Sequence, residues 1–165
     1  MSFSLIACIG KNRELGKNND LIFHFKEDMR FFRETTSGHA VVMGYNTWLS
    51  LNRKALPNRK NLVVSPFEIK DLPNNIEQVF DFETYAKENQ NTDEEIFIIG
   101  GAKTYEDFLP YANTLYLTEV EAEADSADVY FPDFSDFAKH ADKEELAQFS
   151  DNGTKFVINK YTKRS

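Results

Sequence analysis

The chain predicts an α/β fold with a mostly parallel sheet, and three observations carry that expectation. Short, nearly continuous apolar runs at Phe3–Ile9, Val41–Met43, Leu62–Val64 and Ile96–Ile99 suit strands covered on both faces. Amphipathic helical stretches lie between such runs, the alternation that builds a parallel sheet. Near the end, Ser150-Asp-Asn-Gly153 contains an Asn-Gly step, a strong hairpin signal, so antiparallel strands are expected at one edge.

The elements follow in order. Around Lys26–Thr36, residues Phe25, Met29, Phe32 and Thr36 recur at helical spacing and define one face. Asp81 is placed to cap a helix that buries Phe82, Tyr85 and Ala86. Ala102, Tyr105, Phe108 and Leu109 form a third helical face, stopped by Pro110. Leu115–Val120 and Lys155–Tyr161 alternate in polarity, as antiparallel strands with one wet face do, and Glu145–Phe149 is the expected hairpin partner of the latter. The polar stretch Glu88–Glu95 is the expected seam between subdomains, too short for a true linker.

Composition narrows the class. At 165 residues, 41% hydrophobic and 14% aromatic, the chain suits one domain with a full core and not a disordered segment. A net charge of −8 works against non-specific binding of nucleic acid or anionic membranes. A single cysteine, Cys8, excludes an internal disulfide framework and suits a reducing compartment. Neither a signal peptide nor an apolar run of membrane-spanning length is visible. A cytoplasmic protein, with a monomer as the expected state, is the reading.

Four features could carry chemistry. Ile98-Ile-Gly-Gly101 runs from a buried strand into a helix, where two glycines allow close ligand approach and the free N–H groups favour an anion. It matches neither the dinucleotide fingerprint nor a P-loop, and alone such a pair is more often a simple tight turn. Val41-Val-Met-Gly44 enters Tyr45-Asn-Thr-Trp-Leu-Ser50 in the same way, with Asn46 and Thr47 as further donors. Two such junctions suit a ligand with separated phosphates lying across the carboxyl ends of parallel strands. Asp28 has Phe25, Phe31 and Phe32 as helical neighbours. It is either a first-turn acid complementing the helix dipole or a carboxylate awaiting a protonated or amidine-like ligand group. Arg53-Lys-Ala-Leu-Pro-Asn-Arg-Lys60 concentrates four cations in an acidic protein, as a solvated loop or as an anion-capturing one. His24, His39 and His140 are too scattered for a metal motif, so no metal is expected.

Together these segments resemble the dihydrofolate reductase family from Phe3 to Tyr161. The carrying motifs are Ser4-Leu-Ile-Ala7, Leu15-Gly16, Asp28 with Phe32 and Thr36, and Val42-Met-Gly44 with Thr47-Trp48. Leu56-Pro-Asn-Arg-Lys-Asn61, Ile98-Ile-Gly-Gly101 with Tyr105, Leu115-Tyr-Leu-Thr118 and Phe131-Pro-Asp133 continue them in order. The resemblance implies a single domain with a central sheet of about eight strands and about four helices, and an inserted adenosine-binding subdomain at about 39–91. It implies reduction of 7,8-dihydrofolate to tetrahydrofolate by hydride transfer from NADPH, with dihydrofolate and NADPH as the small-molecule partners.

The resemblance also implies roles. Asp28 matches the acid that hydrogen-bonds the pterin 2-amino group and N3, and Thr118 the threonine that supports it. Ile6, Phe32, Leu51 and Ile99 would line the pterin and benzoyl pockets, with Cys8 beside them. Arg59 matches the clamp on the substrate's α-carboxylate, and Arg33 and Arg53 stand near the glutamate tail. On the cofactor side fall Ala7, Cys8, Leu15, Gly16, Asn19 and Asp20 of the first strand and mobile loop. Gly44, Tyr45, Asn46, Thr47, Ser65 and Pro66 follow, then Ile99, Gly100, Gly101, Ala102, Lys103, Thr104 and Tyr105. Asp28 lies on the far edge of the pterin in the family, so water is the expected source of the N5 proton.

Three departures from the family pattern matter. Leu-Pro-Trp becomes Leu21-Ile-Phe23, which places Phe23 over the pterin without an indole donor. The arginine on the cofactor 2′-phosphate is Tyr45, and the second hydroxyl residue there is Pro66. NADH use therefore becomes possible. Two rivals share the size and class: a flavodoxin-like electron carrier, and a pyrimidine reductase of riboflavin synthesis. Gly10-Lys-Asn-Arg-Glu14 does not fit the phosphate loop of the first, and the second has no need of Asp28 and Arg59 at these spacings.

Overall fold

A computed structural model describes residues 2–18 and 20–165. Its main sheet has eight strands, built outward from the apolar run β1 (Phe3–Ile9). On one side of β1 lie β7 (Ile96–Ile98), β4 (Ala40–Gly44), β5 (Lys60–Val64) and β6 (Ile76–Val79), all parallel. On the other lies β8 (Ala112–Val120), also parallel to β1. The edge is completed by β11 (Thr154–Lys163), antiparallel to β8, and by β10 (Ala141–Asp151), antiparallel to β11. The hairpin expected from Asn152-Gly153 is present, with both residues at positive φ (49° and 84°).

Side chains alternate across this sheet, and two apolar layers result. Ile6, Val41, Met43, Val63, Phe97 and Tyr116 pack on one face with Trp48 and, less buried, Phe31 and Phe32. Phe3, Leu5, Ile9, Leu62, Ile98, Leu115 and Leu117 pack on the other with Ala86, Tyr105 and Phe108. Thus α1 (Lys26–Thr36) and α2 (Tyr45–Ser50) cover one side, and α3 (Phe82–Asn89) and α4 (Ala102–Phe108) the other. Asp81 caps α3 as expected, accepting from the N–H groups of Glu83 and Thr84.

Some expectations need correction. Met29 is 56% exposed, so it is not on the packed stripe of α1. That stripe is turned toward Phe31, whose ring meets Tyr116 at 6.2 Å between centroids, and Phe32. Among the described residues, a short fifth helix, α5 (Ser135–Lys139), is consistent with the expectation of about four. The strand β6 went unread because its four residues, Ile76-Glu-Gln-Val79, offer only two apolar side chains at the sheet edge. A second, three-stranded sheet joins β2 (Glu14–Lys17), β3 (Asp20–Leu21) and β9 (Val129–Tyr130). It gathers the segment after β1, expected only as a mobile loop.

A buried carboxylate anchors that segment. Glu14 is 2% exposed, and its oxygens accept the N–H groups of Asn12 and Ala124, each at 2.7 Å. Burial pushes the carboxyl up, but the backbone donors outweigh it and hold the group below the usual carboxylate range. A carboxyl lowered on folding stabilises above its unfolded pKa, and that contribution is lost as pH falls through the folded value. Glu14→Gln is therefore expected to cost about 2 kcal/mol at neutral pH, the scale of hydrogen bonds to a charged group. Urea melts at neutral and strongly acidic pH check this, since the gap between the two proteins closes in acid.

Candidate active site

Strand β7 enters the sheet between β1 and β4, although those two precede it in the chain. Connections leave the neighbouring strands in opposite directions there, and their carboxyl ends open a crevice. Both glycine junctions lie at it and touch each other. The Gly44 N–H donates to the Gly100 carbonyl at 2.8 Å, and the Ile99 N–H to the Val42 carbonyl at 2.9 Å. Gly100 has φ +126° and joins Gly101 through a cis peptide bond. A Cβ on Gly44 would lie 2.5 Å from Thr104 Oγ1, so α4 packs where only glycine fits. A Cβ on Gly101 would find only Thr47 Oγ1, at 3.7 Å, which leaves that backbone open beside a hydroxyl.

Around the crevice, Ala102, at the start of α4, is partly buried, whereas Thr104 and Tyr105 are buried. The Tyr105 hydroxyl donates to the Ile6 carbonyl at 2.6 Å and ties α4 to β1. Ala7 and Cys8 are half-buried at the end of β1. Tyr45 is 39% exposed, Asn46 is exposed and Thr47 is partly buried on α2. Ser65 follows β5 with its hydroxyl already engaged, donating to the Phe67 carbonyl at 2.9 Å and accepting the Phe67 N–H at 3.2 Å. Pro66 beside it is exposed. Lys103 is also engaged, its Nζ 2.5 Å from Asp107 Oδ1 across one helical turn.

On the α1 side, Asp28 meets the sheet. Its carboxylate accepts a hydrogen bond from the Thr118 hydroxyl on β8. Burial pushes its carboxyl up, while Thr118 and the Cys8 thiol oppose that rise. The four apolar residues expected as lining fall in one cluster on this face. Ile6 is buried, and Phe32, Leu51 and Ile99 pack around the same apolar cluster. Phe23 stacks on Phe25 with centroids 6.2 Å apart, and Phe25 on Phe156 at 4.4 Å, so Phe23 belongs to an apolar wall next to Cys8.

Arg59 stands at the far end of α1. Its Nε donates to the Pro57 carbonyl at 2.8 Å and its Nη1 to Thr36 Oγ1 at 2.9 Å. Burial, and then the charge of nearby Arg33, lower its pKa. Arg33 and Arg53 are exposed, the latter at φ 57° in the turn after α2. The basic segment is thus divided: Arg59 is built into the wall, and Arg53 faces solvent.

The segment after β1 is tied to residues 124–131 through contacts that sequence spacing does not reveal. Leu15 is buried, and the Gly16 carbonyl accepts the Asp128 N–H at 3.0 Å. Asp128 in turn accepts the Asn18 N–H at 3.0 Å through Oδ2. Arg13 Nη1 donates to the Phe131 carbonyl at 2.6 Å, and the Phe131 N–H to the Arg13 carbonyl at 2.8 Å. Asp20 opens β3, and Asn19 lies outside the described residues. Partners more than a hundred residues away leave no local periodicity. The only available signal was charged residues flanking an otherwise apolar Leu-Gly step.

Comparison with known proteins identifies the family. The family model for dihydrofolate reductase matches residues 2–163. The dihydrofolate reductase of Buchnera aphidicola (from Acyrthosiphon pisum) is 40% identical over 136 residues, covering 81% of each chain. That of Bacillus subtilis is 38% identical over 138 residues, covering 81% of this chain and 77% of its own. That of Ureaplasma parvum is 33% identical over 167 residues, covering 97% of this chain and 96% of its own. With a half-buried carboxylate, a paired-glycine crevice and a matching sequence from end to end, the chain belongs to the dihydrofolate reductase family.

Proposed function

We infer that NADPH and dihydrofolate meet at the carboxyl ends of β1, β4 and β7, with Asp28 as the pterin anchor. The reaction is that of the family, dihydrofolate to tetrahydrofolate. The observation that carries the site is the Asp28 carboxylate, carried by α1 and desolvated where it meets the sheet, with Thr118 fixing one oxygen. Its other acceptor positions suit the paired N–H donors of a pterin edge, a charge-assisted arrangement that also offsets the cost of burying the carboxylate.

NADPH, when bound, supplies the hydride. The chain's part is to hold two flat rings face to face and keep water from the reacting edge. Gly100 and Gly101 let the backbone approach the nicotinamide end, and Thr47 offers a hydroxyl beside them. Ile6, Phe32, Leu51 and Ile99 form the apolar bed of the substrate. Phe23 closes it as a wall and donates no hydrogen bond, so the N5 proton comes from solvent. Residues at about 39–91 hold the adenosine half, over β4, β5 and β6. A cytosolic monomer acting on two dissolved small molecules suits the acidic composition. Among the described residues, no helix is long and apolar enough to cross a membrane.

Loss of the reduced nicotinamide absorbance on mixing the protein, dihydrofolate and either NADPH or NADH tests the reading. Turnover with neither donor would overturn it. The donor preference is expected to be weak. Tyr45 offers one hydroxyl where a guanidinium fork would stand, Pro66 offers none, and Ser65 and Lys103 are held by Phe67 and Asp107. Tyr45→Arg should raise the NADPH/NADH ratio of kcat/KM roughly tenfold, the scale of one charge-assisted contact. An unchanged ratio would mean that position 45 does not face the 2′-phosphate.

A further inference from the structure

Cys8 is the one thiol in the chain, and the chemistry above gives it no task. Its placement does. The register of β1 on β8 sets Cys8 beside Thr118 and Ile6 beside Tyr116, and residues so paired project from the same face. That face is the one α1 covers, and the Thr118 hydroxyl reaches Asp28 across it. Cys8 therefore stands next to the hydroxyl that holds Asp28, on the face that the carboxylate meets. The rest of the Cys8 surroundings is apolar: Phe25, Val120 and Phe156 are buried there, with Phe23 and Ala122 packed against them.

We propose that Cys8 is a positioning residue, whose S–H acts as the second protein donor to the Asp28 carboxylate and helps keep it ionised and aimed at the pterin. This rests on the assignment of Asp28 as the pterin anchor. The thiol is suited to such a task because it stays protonated. Burial, then the Asp28 charge, push its pKa well above the ordinary thiol range, so it remains a donor across the working pH and is a poor nucleophile. Asp28 needs the help. Its flanking residues on α1 are Phe31 and Phe32, and β11 contributes Phe156 and Ile158. Across the sheet, the Tyr105 phenol of α4 is committed to the Ile6 carbonyl and kept protonated by burial, Cys8 and Asp28. Among the described residues, the groups that favour its ionised form are Thr118 and Cys8, with no cation. A hydrocarbon side chain at position 8 would fill the same space while leaving the carboxylate with one donor.

Carboxylate carbon NMR shifts of the unliganded protein against pH read this directly, with Asp28→Asn identifying the resonance. Cys8→Val fills the volume without a donor, and Cys8→Ser keeps a donor. The Asp28 midpoint should rise by about 0.5–1 unit in Cys8→Val, the scale of one lost weak hydrogen bond to a charge. In Cys8→Ser it should stay at or below that of the unmodified protein. The acid limb of kcat/KM for dihydrofolate should move by the same amount in Cys8→Val. Equal midpoints for Cys8→Val and the unmodified protein, or Cys8→Ser behaving as Cys8→Val, would overturn the proposal. Should Asp28→Asn retain its kcat/KM, the pterin-anchor assignment fails instead, and the NMR midpoints still decide whether Cys8 acts on Asp28.

Discussion

Asp28→Asn should fold and lose about a hundredfold or more of kcat/KM for dihydrofolate at neutral pH. The amide keeps the volume and still accepts from Thr118, but it presents a neutral edge with its own N–H donors where the pterin brings donors of its own. Removing one charged partner from a desolvated pair typically costs about 3 kcal/mol, and each 1.4 kcal/mol is tenfold in rate. The same substitution should make the unliganded protein more stable. Burial raises the Asp28 carboxyl, so the folded state loses stability as pH climbs through the carboxylate range, and the amide escapes that loss. A higher Tm at neutral pH combined with lost turnover would mark a residue kept for binding at the expense of folding. Near-normal kcat/KM in the folded variant would remove Asp28 from the site.

How far the sequence was legible depends on the range of the interactions involved. The long apolar runs of β1, β4, β5 and β7 were readable because strands covered on both faces must be apolar throughout. The glycine junctions were readable for a similar reason: Gly44 tolerates no side chain against Thr104, and Gly100 sits at positive φ. Short edge elements were not. Ile76–Val79 and Val129–Tyr130 carry too few residues for a period to appear, and their pairing is set by neighbours distant in the chain. Asp28 stood out by its Phe neighbours, yet its link to Thr118 spans ninety positions and that of Cys8 to both depends on strand register. Neither can be found by spacing. Met29 shows the opposite error, since a residue can match the helical period and still fall outside the contact stripe by about one step of rotation, roughly 100°.

Arg59→Lys should raise the KM for dihydrofolate about thirty- to a hundredfold and leave kcat within a few-fold. The guanidinium already spends donors on the Pro57 carbonyl and on Thr36, and the Thr36 hydroxyl is itself fixed by donating to the Phe32 carbonyl at 2.8 Å. Those bonds orient the plane, and the remaining N–H groups are available for a carboxylate. Burial and the neighbouring Arg33 charge disfavour its cation, so an anion arriving there relieves a repulsion as well as adding contacts. Lysine carries one compact ammonium, which cannot hold Thr36 and a carboxylate in one plane, and the loss is about 2–3 kcal/mol for a bidentate contact. The carboxylate lies far from the reacting ring, so ground state and transition state lose this binding equally, which changes KM and spares kcat. A pterin substrate without the glutamate tail gives the control, because both proteins should then turn over alike. If KM for dihydrofolate is unchanged in Arg59→Lys, the carboxylate is held elsewhere, and exposed Arg53 becomes the next residue to substitute.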